Sequence, residues 1–358
     1  MDLQNYTHDA IELLKQLIAT PSVSRDEHRA ATLLAQHIER YGFDYRRKGN
    51  NLLVTDPHYS PDRPTILLNA HIDTVKPVDS WTRDPYTPTI ENNDKLYGLG
   101  SNDCGGGLVS LLQVFRLLTA QPQKYNLLYL ASAEEEVSGG GGIKSILPSL
   151  PPVDVAIVGE PTSLQPAIAE KGLMVLDITT RGKSGHAARG EGINAIYQAI
   201  DDLNWLHGYR FDKVSDLLGP TLMNVTMIQA GTQHNVVPDR CDIVVDIRTN
   251  EHYTNREVYD LVCSHVKGEV RARSFHLQSS HIDKNHILIR RCREMKLTPF
   301  GSPTLSDQAL MPFPSFKLGP GDSARSHSAD EFMRIGEIEK AIRTYLTLLD
   351  GIEITVVR

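Results

Sequence analysis

Five short segments carry histidines and carboxylates where such side chains could hold a metal ion. In Leu67-Leu68-Asn69-Ala70-His71-Ile72-Asp73 an imidazole and a carboxylate stand at the end of an apolar run. Asp103 sits in the glycine-dense stretch Gly98-Leu99-Gly100-Ser101-Asn102-Asp103-Cys104-Gly105-Gly106-Gly107. Glu134, Glu135 and Glu136 follow the apolar run Leu127–Ala131 after Ser132 and Ala133. Three adjacent carboxylates repel one another, and a cation that offsets the repulsion is the simplest physical account. Glu160 follows Val158-Gly159, and His327 lies in a polar loop that starts at Gly319-Pro320-Gly321-Asp322 and passes Arg325. Each segment alone has a plainer reading: a strand-end histidine, Asp103 capping a helix, a turn acid before Pro161, a solvated loop histidine. Their shared placement, with imidazole and carboxylate donors and no thiolate cluster, points to a hard or borderline divalent ion.

Competing chemistries lack their motifs. There is no His-Glu-x-x-His of a zincin and no Gly-x-Ser-x-Gly nucleophile elbow. The Gly98-Leu99-Gly100 step does not follow a clean strand of a first βαβ unit, and no Gly-Lys-Ser/Thr follows it, which argues against a nucleotide loop. Cys104 stands next to an acid with no nearby cation to lower its pKa, so it reads as a packing or spacer residue.

The elements that must position these residues are legible from hydrophobic period. His8–Ala19 and Asp26–Tyr41 repeat apolar residues at helical spacing, ended by Pro21 and Gly42. Leu52–Val54, Ile66–Ala70, Leu127–Ala131 and Val153–Val158 read as buried strands, with helices expected over Gly105–Thr119 and Gly142–Leu147. Alternating strands and helices imply an α/β fold with a largely parallel sheet covered on both faces, whose functional residues collect beyond the strand ends. From Met174 the order changes to strand (174–181), helix (193–206), strand (222–229), strand (241–249), helix (256–266) and strand (270–277), a ferredoxin-like pattern. The expected organisation is a catalytic domain over 1–172 and 281–358, interrupted by an inserted lid over 173–280. Thr55–Pro64 reads as a surface loop.

Composition bounds the function class. The 358 residues include 37 Lys+Arg against 44 Asp+Glu, a net charge of −7, with no basic stripe of the kind nucleic-acid binding requires. No apolar run approaches the roughly 18–20 residues of a membrane span. The polar start, Met1 to Lys15, has no basic segment followed by an apolar one, so no signal peptide is expected and the chain reads as cytoplasmic. Cys104, Cys241, Cys263 and Cys292 show no Cys-x-x-Cys spacing, which suggests neither a zinc ribbon nor a disulfide framework.

Taken in order, Leu68–Asp73, Gly100–Asp103 with its trailing glycines, Ala133–Glu136, Gly159–Thr162 and the late His327 resemble the dinuclear zinc peptidase/deacylase family, most closely its acetylornithine deacetylase branch. The resemblance spans essentially the whole chain. It implies a zinc-dependent exopeptidase-like α/β domain interrupted by a ferredoxin-like α+β dimerisation domain, and hence a homodimer. It implies two divalent ions, zinc with cobalt as a substitute: His71, Asp103 and Glu160 on one, Asp103, Glu136 and His327 on the other. Asp73 would orient His71 through its second ring nitrogen, and Glu135 would be the general base. A register shifted by one, with Glu134 as base and Glu135 as ligand, stays open. Gly182-Lys183-Ser184-Gly185-His186-Ala187 resembles the segment carrying a transition-state histidine that acts in the partner subunit, and Asn235 and Arg248 match substrate contacts. One departure is Cys104-Gly105-Gly106 after the bridging acid, where many relatives carry methionine or lysine and then lysine-glycine.

The reaction so implied is amide hydrolysis. The first expectation is removal of an acetyl or succinyl group from an N-acyl-L-ornithine, a step of arginine biosynthesis. Succinyl-diaminopimelate desuccinylase and a dipeptidase or carboxypeptidase are the alternatives. A non-catalytic binding relative would belong to a different class, and the intact donor set with Glu135 argues against it.

Overall fold

In the computed structural model, which describes residues 3–354, helices α1 (Leu3–Ile18) and α2 (His28–Arg40) lead into strands β1 (Tyr45–Lys48), β2 (Asn51–Thr55) and β3 (Thr65–His71). Then come β4 (Thr89–Glu91), β5 (Lys95–Tyr97), α3 (Gly106–Leu118), β6 (Asn126–Ser132), α4 (Ile143–Ile146), β7 (Val155–Val158) and β8 (Ala167–Glu170). The middle of the chain forms β9 (Met174–Arg181), α5 (Ala195–Gly208), β10 (Leu222–Ala230), β11 (Arg240–Arg248), α6 (Asn255–His265) and β12 (Glu269–Ala272). The remainder is β13 (Ser280–His281), α7 (Ile287–Glu294), β14 (Phe300–Ser302), β15 (Ser315–Lys317), β16 (Phe332–Arg334) and α8 (Ile335–Leu349).

Two compact units result. One takes residues up to Ile168, Ile282–Phe300 and the chain from Ser306; the other takes Ala169–His281 and Gly301–Leu305. In the first, the sheet order runs β1-β2-β6-β3-β7-β15-β8. The four central strands β6, β3, β7 and β15 are parallel, with antiparallel pairs outside them at β2–β6, β1–β2 and β15–β8. Every residue of β3, β6 and β7 is buried, which explains their unbroken apolar runs. The two-residue alternation of strand side chains sorts them onto two faces. Ile66, Leu68, Leu127, Tyr129 and Ile157 join one core with Leu13, Leu112 and Tyr345 from α1, α3 and α8. Leu67, Leu128, Leu130 and Ala156 join another with Ile143 and Ile146 of α4. The short strands β16, β5 and β4 form a separate small sheet.

In the second unit the order β10-β11-β9-β12 is antiparallel throughout, the ferredoxin-like arrangement of a strand–helix–strand–strand–helix–strand chain. Leu176, Ile178, Ile243 and Val245 pack against Ala199 of α5 and Val258 and Val262 of α6. The expected strand over 270–277 is shorter than its apolar pattern. β12 pairs with β9 from Glu269 to Ala272; beyond it the Arg273 N–H still donates to Val175 O, and the Asn255 amide donates to the carbonyls of Leu173 and Leu277.

Candidate metal centre

The parallel strands of the first unit end on one side, and four of the five donor segments follow directly from them. His71 closes β3, Glu134–Glu136 follow β6, Glu160 follows β7, and the loop from β15 to β16 carries His327. Asp103 comes from the turn before α3. That turn lies close to β7 because Gly107 touches the carbonyl of Gly159: a Cβ at Gly107 would stand 1.8 Å from Gly159 O.

The donors converge. His71 Nε2 is 3.2 Å from Asp103 Oδ1 and 3.7 Å from Glu160 Oε1. His327 Nε2 is 2.9 Å from Glu136 Oε2 and 3.6 Å from Asp103 Oδ2. Asp103 thus turns one oxygen to each histidine. Donor atoms of His71, Asp103 and Glu136 lie within 4.8 Å of one another. Glu160 Oε1 is buried without a hydrogen-bond partner.

Electrostatics reflect the crowding. Burial, reinforced by Asp103, pushes the Glu160 carboxyl up to about 8. Burial also lifts Glu135 well above the usual carboxylate range, with Glu160, Asp307 and Glu136 adding to the shift against the opposing pull of His71. The hydrogen bond to Glu136 raises His327 to about 9. The Cys104 thiol, buried against His71, is pushed up to about 12 by desolvation, and its sulfur accepts the His71 backbone N–H at 3.2 Å. It packs; it is no nucleophile at neutral pH.

The structure also shows what fixes each donor. His71 Nδ1 meets the backbone carbonyl of Asp73 at 2.8 Å, while the nearer Asp73 carboxylate oxygen is 3.6 Å away. His71 Nδ1 thus faces Asp73, nearer to its main-chain carbonyl than to the carboxylate expected from the sequence. The Asp73 carboxylate is occupied elsewhere, by the N–H groups of Glu135 and Glu136 and the Ser24 hydroxyl. Glu134 takes a left-handed conformation (φ 54°) and its carboxylate accepts the Gly141 N–H at 3.1 Å. Glu134 is thus engaged by the glycine loop, whereas Glu136 faces His327.

Among the buried acids that the sequence did not single out are Glu27, Asp307 and Glu331. Glu331 accepts the N–H groups of Gly100, Asn102 and Asp103 at 2.7–3.0 Å, joining the Asp103 turn to the His327 loop. Asn102 and Asp322 add a reciprocal pair of bonds between the same segments. Asp307 accepts the Ser132 hydroxyl at 2.5 Å, and burial raises it to about 7. Their partners are mostly backbone groups, which leave no mark in a sequence.

His186, Asn235 and Arg248 belong to the second unit. Ala187 N–H bonds to Asn235 O at 3.0 Å and Val237 N–H to Gly185 O at 2.9 Å, so the segments of His186 and Asn235 are paired. His186 is exposed, and its Nδ1 accepts the Ala188 N–H at 3.2 Å. In the neutral ring this leaves the proton on Nε2, available as a donor. Arg248 is not free: its Nε and one Nη bond to both oxygens of Asp246 at 2.9 and 3.2 Å.

Residues 67–351 match the Peptidase family M20/M25/M40. Acetylornithine deacetylase of Proteus mirabilis is 31% identical over 366 residues, covering 92% of this chain and 93% of that protein. The enzyme of the same name from Salmonella arizonae is 31% identical over 371 residues, covering 92% and 94%. Among solved structures, aminopeptidase PepT from Bacillus cereus superposes with a TM-score of 0.77 at 17% identity, over 96% of this chain and 98% of that one. The YXEP protein of Bacillus subtilis, a dinuclear metal binding peptidase, superposes with a TM-score of 0.74 at 17% identity, over 98% and 100%. These two likenesses bear on the fold. Among the described residues no helix is long and apolar enough to cross a membrane. The chain belongs to the peptidase family M20/M25/M40 and is a hydrolase of amide bonds.

Proposed function

We propose that this chain is a two-metal deacylase acting on N-acyl-L-ornithine, acetyl or succinyl. The observation that carries the reading is the donor cluster with Asp103 between two histidines. The residues fit divalent ions: imidazole and carboxylate donors suit zinc or cobalt, and the buried Glu160 Oε1 has no hydrogen-bond partner. One ion would be held by His71, Asp103 and Glu160, the other by Asp103, Glu136 and His327. When bound, such a pair supplies Lewis acidity and an acidified water.

The chain's own groups do the rest. Glu135 takes the proton of the attacking water and returns it to the departing amine nitrogen, first base and then acid. Its raised proton affinity, caused by burial, favours the second of these duties, holding the proton for the amine. His186 offers its Nε2–H to the developing oxyanion, acting in this reading in the partner subunit of a homodimer. Exposed apolar side chains on the second unit support such a homodimer: Ile196, Tyr197 and Ile200 on α5, Met227 and Ile228 on the edge strand β10. Asn235 and Arg248 bind the substrate's α-carboxylate, with Arg248 exchanging Asp246 for it.

The acetylornithine deacetylase names of the 31%-identical relatives support the ornithine substrate; a cytoplasmic place in arginine biosynthesis is part of the same proposal. The test is a hydrolysis screen of acetyl-ornithine, succinyl-ornithine, succinyl-diaminopimelate and several unblocked dipeptides. Highest kcat/KM on an N-acyl-ornithine is expected. A dipeptide ranking first would replace this reading with the peptidase one.

A further inference from the structure

The turn that carries the base and one donor is fastened by its backbone. Three successive N–H groups end on carboxylates: that of Glu134 on Glu27 Oε1 at 3.3 Å, that of Glu135 on Asp73 Oδ1 at 3.0 Å, and that of Glu136 on Asp73 Oδ2 at 3.2 Å. Consecutive amides around a left-handed residue converge in this way on an anion. Both acids are buried, Glu27 at 0% and Asp73 at 1% exposure. A buried carboxylate persists only when its lone pairs are satisfied. Glu27 accepts further bonds from the Arg25 N–H and, at 2.9 Å, from the Asn50 amide, and Asp73 accepts the Ser24 hydroxyl at 2.7 Å.

The consequence is a two-sided turn. Its donors are consumed by Glu27 and Asp73, while the Glu136 side chain meets His327 and the Glu134 carboxylate accepts the Gly141 N–H. Ser24 and Glu27 come from one segment, itself tied to the strand-end chain through Ser24 N–H to Thr74 O at 3.1 Å and Thr74 N–H to Ser22 O at 2.9 Å. That segment precedes residues 67–351, where the family match lies.

We propose that Glu27 is a positioning residue that sets, through the Glu134 N–H, where Glu135 and Glu136 stand. It builds on the roles given above to Glu135 and Glu136. Two variants isolate the contact. Glu27→Asp keeps the charge but withdraws the carboxylate by one methylene; Glu27→Gln keeps the reach and one acceptor oxygen. Metal-free protein is titrated with Co2+ while its visible absorption is recorded, and kcat and KM are measured on the best substrate of the screen.

Glu27→Asp is expected to lose about 10–100-fold in Co2+ affinity and kcat, with KM little changed and an altered Co2+ band. Glu27→Gln is expected to recover most of that loss. A Glu27→Asp protein with the parent's Co2+ affinity and spectrum would overturn the proposal. So would two variants that melt earlier yet bind Co2+ and turn over as the parent does. If the parent hydrolyses no N-acyl amino acid, the substrate reading falls while the Co2+ titration still decides the role of Glu27.

Discussion

The donor cluster of the first unit and the residues of the second unit proposed to meet substrate are held in opposite ways. His71 and Asp73 are 3% and 1% exposed, and the turns bearing Asp103 and Glu136 are gripped by carboxylates that accept several backbone N–H groups each. His186 and Asn235 are exposed, and Arg248 is paired with a neighbour it must release to bind anything else. Chemistry demands fixed distances, because small misplacements of reacting groups cost orders of magnitude in rate. Recognition tolerates exchange of partners. Changes in the first unit should therefore remove turnover or metal, and changes in the second should alter rate or selectivity with metal retained.

The sharpest way to break this division is within the triple glutamate. Glu135→Gln is expected to lower kcat by about 10²–10⁴-fold with metal content unchanged, whereas Glu136→Gln loses bound metal as well. An exchange of the two phenotypes, read by metal analysis beside kinetics, would mean that the register is shifted by one residue.

His186→Ala should lower kcat roughly 10²–10³-fold while metal stays bound. Mixing His186→Ala with Glu135→Gln protein and letting subunits exchange should restore part of the activity if His186 acts in the partner subunit. A mixture as inactive as its components would count against action across the dimer.

Arg248→Lys should reduce kcat/KM by about tenfold, since an ammonium cannot reproduce the two-pronged contact with a carboxylate. Amidating the substrate's α-carboxylate should harm the original enzyme far more than this variant. Asp246→Asn refines the point: with its competitor weakened, Arg248 should bind substrate more readily, seen as a lower KM.

The smallest effect is on stability against pH. Without metal, burial pushes the Glu160 carboxyl up from 4.5 to about 8, and the hydrogen bond to Glu136 pushes His327 up from 6.5 to about 9. Both shifts are upward, so the folded state binds more protons than the unfolded one between each pair of values, and stability falls as pH rises. Thermal melts of metal-free protein should weaken progressively from about pH 5 to 9. Added Zn2+ should offset the loss increasingly with pH, because binding displaces those protons. A metal-free melt that strengthens over this range would contradict the packing of Glu160 and His327 among acids.

Much of this was legible because unbroken apolar runs mark buried parallel strands, and the residues after them mark strand ends. That logic located His71, Glu134–Glu136 and Glu160, and the change of period at Met174 marked the ferredoxin-like unit. The acids that grip backbone were not legible. Glu27 reads like a helix-start acid and Glu331 like a loop acid, since their partners are amides that every residue possesses. Arg248 is a different lesson. Residues two apart on a strand share a face, so Asp246 beside Arg248 was a signal already present in the sequence.

Two-metal chemistry at the donor cluster is tested most directly by one titration. Protein stripped of metal is given increasing Zn2+ while hydrolysis of N-acetyl-L-ornithine is followed. No hydrolysis is expected without metal, and full activity is expected at two equivalents per chain. Full activity in the stripped protein, or saturation with two equivalents and no hydrolysis of any N-acyl amino acid, would contradict it.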